Sequence, residues 1–304
     1  MELHIAQFND HIWYVDNGLL GAPGLGTTYV VRGDEIAIVE TGTSLCAPQV
    51  LDGLRRLGVK PSAVRHILLT HIHMDHAGGA GTLVPHMPEA TIYMHSRTAK
   101  YLVDPSNLLA SAERALGDLF ALHGTVDPAP AERIAAAEEL RLDLGRGVVV
   151  RAIPTPGHSP DHIAYLEESS RSLFTGDAIG ITIPATGYQG PVTPPPAISI
   201  DQQRDTFERL LDMQIDALLF THFGPGRESP RLLIERLREQ YERLVRVVRE
   251  GWELGNVDHA AITRAMLPEG ARDDRTMLAT AGWVAMSING LVHFFERQAR
   301  KQGG

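Results

Sequence analysis

Cysteine is almost missing from this chain: Cys46 stands alone among 304 residues. That excludes an intramolecular disulfide and any cysteine-built zinc module, and a lone small thiol near a helix start reads as packing. No run of eighteen apolar residues occurs, so no membrane partner is expected. The start MELHIAQFND lacks the basic-then-apolar layout of a secretory signal, which makes the cytoplasm the expected compartment. Positive charge is in deficit as well. A net charge of −9 leaves little to grip phosphates, so nucleic acid is not an expected partner, although a small anionic substrate is still compatible.

With 43% hydrophobic residues the chain can fill a substantial core. Thr27–Arg32 and Glu35–Glu40 flank Gly33-Asp34 and predict an antiparallel hairpin. A helix is expected after Ser44, with Val50, Leu51, Leu54 and Leu57 on one face and Gly58 as its stop. Residues 96–138 read as an inserted helical pair with Ser106 as an N-cap and an Ala-rich continuation. Strands follow at Val148–Ile153, Ile163–Glu167 and Ser172–Thr175, then an irregular Pro-rich loop over Ile183–Pro196. Ser199 with Gln202 marks a capping box for a helix to about Met213.

From Ser229 onward the pattern is helical only. Leu233, Leu237, Tyr241, Leu244 and Val248 form one apolar stripe, and Met277, Ala281, Val284, Ile288, Leu291 and Phe295 another. Glu239/Arg243 and Glu242/Arg246 have the spacing of supporting ion pairs. The stripes suit packing on the main domain or pairing of two chains into a homo-oligomer.

Against that background residues 71–76 read HIHMDH. Extended backbone projects His71 and His73 to the same side, whereas a helix would separate them by about 200°. Asp75 and His76 come as the chain turns toward small residues Ala77-Gly78-Gly79. The same setting, a β-rich run, a Thr and then a potential ligand, recurs at TPGH (His158), FTGD (Asp177) and LLFTH (His222). Strand ends delivering such residues to one edge mark a site in α/β architectures. His66, His86, His95 and His123 lack this setting and read as packing or surface residues, and His162 as a hydrogen-bonded structural residue. Met74 reads as packing. Glu40, at the end of its strand, is equally an ordinary carboxylate or an acceptor for a ligand histidine.

HxHxDH, TPGHSPDH, FTGD and FTHF, in that order, resemble the metallo-β-lactamase superfamily, over roughly residues 1–225. The resemblance implies an α/β fold, the αββα sandwich, as a catalytic domain over 1–225, with the helical insertion at about 96–138 and a C-terminal helical extension over 226–304. It implies two divalent metal ions, zinc first with iron or manganese as alternatives. One is held by His71, His73 and His158, the other by Asp75, His76 and His222, with Asp177 bridging; Asp75 also orients the attacking water. Such a pair acidifies water and polarises a carbonyl or phosphoryl oxygen.

The C-terminal helices resemble the extension of glyoxalase II-type thioesterases, and Tyr188 resembles their substrate-contacting Tyr in spacing. These features predict hydrolysis of an ester, thioester or lactone of a small, largely uncharged substrate, with the 181–200 loop and the 96–138 insertion walling the pocket. The rival readings are a phosphodi- or phosphotriesterase, an iron-dependent oxidoreductase of the persulfide dioxygenase type, and a metal-stabilised scaffold.

Overall fold

The computed structural model describes residues 4–268 and 275–302. Period-two alternation builds two sheets with different faces. In chain order the first holds β1 (Ile5–Gln7), β2 (Ile12–Asp16), β3 (Thr27–Arg32), β4 (Ile36–Val39), then, after helix α1 (Ala47–Arg56), β5 (Val64–Leu68). The short helices α2 (Met74–Ala77) and α3 (Ala80–Leu83), β6 (Thr91–Met94), helices α4 (Ser96–Val103) and α5 (Ser106–Leu116), and β7 (Ile134–Ala136) follow. Strands β1 to β7 lie side by side in sequence order, antiparallel through β4 and parallel from β4 to β7.

The second sheet uses β8 (Arg141–Asp143), β9 (Val149–Pro154), β10 (Ile163–Glu167) and β11 (Ser172–Gly176). After the hairpin β12 (Ile181–Ile183) and β13 (Tyr188–Gly190) comes α6 (Ile200–Leu211), then β14 (Ala217–Phe220) and β15 (Gly224–Pro225) complete the sheet in the order β15-β14-β11-β10-β9-β8. Among the described residues three helices follow: α7 (Pro230–Glu253), α8 (His259–Met266) and α9 (Arg275–Gln302).

Alternation assigns each strand residue to a layer. Tyr29, Val31, Val39 and Leu68 face Tyr165, Phe174 and Leu219 between the sheets, while Val30, Ile38 and Ile67 point outward against Val50, Leu54 and Leu83. On the other side Ala164, Leu166, Leu218 and Phe220 pack against α6, α7 and α9 through Phe207, Leu237, Tyr241, Val284 and Ile288. The result is the expected αββα sandwich.

The hairpin at Gly33-Asp34, helix α1 and the capped α6 lie where the sequence puts them, with Ser199 accepting from Gln202 N at 3.4 Å. Four local readings need correction. The Ala-rich segment after the helical pair is strand β7, because Ile134–Ala136 pairs with β6 and completes the sheet. Ser106 is inside α5 rather than capping it, since Asp104 Oδ1 accepts from Ser106 N and Oγ at 3.1 and 2.6 Å. The Pro-rich loop contains β13, paired with β12. The expected pairs along α7 give way to tertiary partners: Glu242 takes Arg204 of α6 at 2.7 Å, and Arg243 donates to the Ala265 carbonyl.

Helix α9 is long and apolar enough, by length and composition, to cross a membrane. Yet Val284, Ile288 and Leu291 are buried on this chain's own second sheet and α7, each burial contributing about 1.5–3 kcal/mol. Gly290 permits the close docking, because a Cβ there would sit 1.8 Å from the Thr193 carbonyl oxygen. Two hydrogen bonds fasten the contact: Thr193 N donates to Ser287 Oγ at 3.1 Å, and Thr193 Oγ1 to the Ser287 carbonyl at 2.9 Å. Helix α9 thereby holds the loop that reaches the site described below.

The β10–β11 turn carries a pH-dependent contribution. Buried Glu167 accepts from Ser169 N and Oγ at 2.9 and 2.6 Å and from Ser170 N at 2.9 Å. Burial alone would raise its pKa, but these hydrogen bonds outweigh it and hold the carboxyl below its ordinary 4.5. A depressed folded-state pKa stabilises above the unfolded value, and the contribution fades as pH falls through the folded value. Glu167→Gln should therefore cost about 1–2 kcal/mol in denaturant unfolding at pH 7, with the gap to the parent shrinking below about pH 4. An equal gap at pH 7 and pH 3.5 would contradict this.

Candidate metal centre

Four strand ends converge on one edge. Past Leu68 the chain bends at Thr70 and Ile72 and brings the His71 and His73 rings 4.4 Å apart, and the single turn α2 then presents Asp75 and His76. His158 follows β9 through Gly157, where a Cβ would strike Gln203 N and Cα at 2.7 and 2.5 Å. Asp177 follows β11 through Gly176, whose φ of 50° and tight fit against Thr70 and His162 suit only glycine. His222 follows β14. All seven residues expected to ligate metal are thus brought together. Three overlapping clusters hold their donor atoms within 4.8 Å of one another: His71, His73 and His158; His71, His76 and Asp177; Asp75, His76 and His222.

Fixed partners set the imidazole tautomers. A carbonyl only accepts, so His158 Nδ1–H donates to Val192 O at 2.8 Å and His222 Nδ1–H to Leu25 O at 2.7 Å. Thr70 Oγ1 donates to Glu40 Oε1 at 2.5 Å and therefore accepts from His71 Nδ1–H at 2.9 Å. In the neutral His71 and His158 rings Nε2 is left bare, and in His222 Nε2 is the nitrogen left facing the site. His71 Nε2 and His158 Nε2 nevertheless lie 3.2 Å apart, with His73 Nδ1 at 2.8 and 3.0 Å from them. Two facing lone pairs repel, and a cation among the three nitrogens turns that repulsion into ligation. His222 Nε2 faces carboxylate oxygens of Asp75 at 3.6 Å and Asp177 at 3.7 Å. Asp177 Oδ1 and His76 Nε2 are buried without hydrogen-bond partners, which ligation would supply. The donor set, imidazole with carboxylate, fits zinc, iron or manganese.

Electrostatics agree with this fit. Burial, reinforced by the neighbouring imidazoles, holds His71 well below its ordinary pKa and pushes His73 down to about 4. Burial also lowers His158. These three rings are neutral near pH 7, the form metal binding needs. For His76 burial is outweighed by Asp177, Glu40 and Asp75, which hold it well above 6.5. For Asp177 burial is outweighed by His76 and His222, which keep the carboxyl far below its usual range. The acidic side of the centre thus stabilises positive charge.

Residues around the seven fix their positions. Glu40 is fully buried with φ 68°, and its Oε1 lies 3.2 Å from His76 Nδ1 while accepting from Thr70, so it serves two of the histidines. His162 is structural in a directed way: its Nε2 accepts from Asp177 N at 3.0 Å, and its ring stacks on His71 at 4.9 Å. Asp161, in the TPGHSPDH motif, has no ligand role but accepts from Ile72 N at 3.0 Å and Thr98 Oγ1 at 2.9 Å. It anchors the one residue between His71 and His73. Trp283 of α9 lies edge-on to His222 at 4.8 Å.

A cavity of about 100 Å³ opens above the centre, lined by His73, Asp75, His158, Asp177 and His222 at its base. Leu108, Ala112 and Leu116 of α5 form one wall, and Ile181, Val192 and Pro194 to Pro196 another, so both the insertion and the 181–200 loop line it. Trp283 and Met286 complete the enclosure. His123, read from sequence as packing or surface, is a lining residue, held by its Nδ1–H to the Leu119 carbonyl at 3.0 Å. Met74 is buried and also borders the cavity.

The expectation for Tyr188 is corrected. Its ring lies in the core beneath α7, 2% exposed, and its hydroxyl donates to the Pro191 carbonyl at 3.3 Å. Burial pushes its pKa up from the ordinary value. It is not on the cavity wall, because pairing of β13 with β12 turns the side chain inward.

Removing the Asp161 anchor should loosen the HxH segment. Asp161→Ala is expected to weaken zinc affinity about 10–100-fold in a competition titration with a chromophoric chelator. Unchanged affinity in a folded variant would show that Ile72 needs no such hold.

A model of the family described as the metallo-beta-lactamase superfamily matches residues 21–222. The metallo-beta-lactamase fold-containing protein ST1585 of Sulfurisphaera tokodaii is 29% identical over 236 residues, which cover 73% of this chain and 80% of that protein. Thioesterase pkgB of Emericella nidulans is 29% identical over 163 residues, 53% of this chain but only 38% of that longer protein. Among solved structures, that of the archaeal ST1585 aligns with a TM-score of 0.71 at 23% identity, covering 92% of this chain and 98% of the other, a likeness of fold. With matching motifs, sandwich and centre, the chain belongs to the metallo-β-lactamase superfamily.

Proposed function

We propose that this chain is a dinuclear-metal hydrolase acting on an ester, thioester or lactone whose reacting end is small and uncharged. The observation that carries the reading is the convergence of bare imidazole nitrogens and ionised carboxylates at the base of an apolar cavity. His71, His73 and His158 would hold one divalent ion and Asp75, His76 and His222 the other, with Asp177 between them. Zinc is the first choice. Bound there, the ions would supply Lewis acidity toward a carbonyl oxygen and an acidified water.

The chain's own residues do the rest. The Asp75 carboxylate lines the cavity and would accept a hydrogen bond from the attacking water, orienting it. Leu108, Leu116, Val192 and Trp283 exclude bulk water, which strengthens every charge interaction at the base. Among the described residues no Lys or Arg lines the cavity to grip a phosphate or a glutathione carboxylate. That favours acyl over phosphoryl substrates. With Tyr188 in the core, the C-terminal helices are what supports a glyoxalase II-like placement; they contribute Trp283 and Met286 to the wall. Thioesterase relatives such as pkgB support the acyl reading. The apolar stripes of α7 and α9 are spent on their own chain's second sheet, so a small-molecule substrate is the partner we propose.

The purified protein should carry two divalent ions per chain and hydrolyse members of an ester, thioester and lactone panel more efficiently than an aryl phosphodiester. Prolonged chelation should abolish the activity and zinc restore it. His158→Ala should lower kcat/KM at least about 100-fold. Phosphodiester preference, or iron with oxygen consumption and no hydrolysis, would replace this reading with one of its rivals.

A further inference from the structure

The cavity above the centre does not end at its walls. A second hollow of about 200 Å³ lies between the segment 115–123 and α9, bordered by Leu20, Leu119, Ala279, Gly282, Ala285 and Asn289. It shares Ala115, Leu116, His123, Trp283 and Met286 with the first cavity, so the two adjoin along these residues. We infer that this groove binds an unbranched, uncharged acyl chain whose carbonyl end lies at the metal centre, the seat of the hydrolase reading on which this inference rests.

Three observations choose that occupant. Among the described residues the groove is lined by apolar side chains and by no charged one, His123 and Asn289 being its polar members. An anionic or strongly polar chain would lose hydration there without a partner, whereas each buried methylene is favourable. Its bore depends on small residues on facing segments: Ala115 on α5, and Ala279, Gly282 and Ala285 on α9. A Cβ at Gly282 would already crowd Leu119 Cδ1 at 3.0 Å, so a larger side chain there must displace Leu119 or take up the groove between them. Finally, the groove adjoins the cavity above the metal centre and is bordered by Leu119, 37% exposed, so a chain reacting in that cavity would extend past Trp283 toward solvent. A flat apolar face for a second copy would not need this connection to the reacting centre.

The test uses the full-length protein as purified and two readouts. Calorimetric binding of 1-butanol through 1-decanol, which needs no turnover, should show affinity rising about 3–4-fold per added methylene. Gly282→Leu should flatten that rise for the longer alcohols; leucine is the better helix former, so α9 is retained. Ala115→Leu, from the opposite wall, should do the same. With acyl esters or thioesters, the ratio of kcat/KM for decanoyl over butanoyl should fall about tenfold or more in either variant. An affinity independent of chain length, or a slope that both variants leave intact, overturns the groove. A change of oligomeric mass in the variants with no change of slope assigns the surface to a second copy and overturns it equally. Alcohol binding as described with no hydrolysis of any acyl substrate would keep the groove and instead remove the hydrolase reading.

Discussion

His71 Nε2 and His158 Nε2 lie 3.2 Å apart, and the other nitrogen of each ring is already committed as a donor, to Thr70 and to the Val192 carbonyl. Neither ring can relieve the contact by changing tautomer without abandoning a buried hydrogen bond, a loss of about 1–3 kcal/mol. His222 is fixed in the same manner by Leu25 and faces two carboxylates. Around this constraint the rest of the edge makes sense. Glu40, Thr70, Asp161 and His162 hold donors in an arrangement that is unfavourable for a neutral apo site and favourable around divalent cations.

The sandwich delivers that arrangement because both sheets end their site strands on the same side. Parallel pairing of β4 with β5 and of β11 with β14 aligns the C-terminal ends of those strands, from which Glu40, His71, Asp177 and His222 emerge. The C-terminal helices then act on the site from behind. Helix α9 lies against the Thr193 carbonyl at Gly290, clamps that loop through Ser287, and sends Trp283 against His222 and the cavity. Stability of the appendage and shape of the pocket are therefore coupled through one loop. Val192, whose carbonyl orients His158, is the residue just before the clamp.

Legibility from sequence followed the range of the interactions. The strand-Thr-ligand rhythm is local, so the candidate metal-centre residues could be read from it, and the layer order followed from the family resemblance those motifs carry. The hairpin at Gly33-Asp34 and the Ser199 cap are local too. What escaped was set by partners far along the chain. Residues 134–136 are a strand because an open edge of β6 accepts them, and Ala-rich composition carries no trace of that edge. Glu242 prefers Arg204, 38 residues away, to its neighbour on the helix. Tyr188 matched a spacing but turned inward, and Trp283 and His123 reached the cavity with no motif to announce them. Asp161 was within reach, since it sits three residues past His158 in the TPGHSPDH motif and its carboxylate binds the HxH backbone.

Anomalous diffraction from crystals grown without chelator, recorded on both sides of the zinc edge, tests the two-cation centre most directly. Two peaks are predicted, one enclosed by His71, His73 and His158 and the other by Asp75, His76 and His222, with Asp177 reaching both. A single peak, or peaks away from these residues, would contradict it.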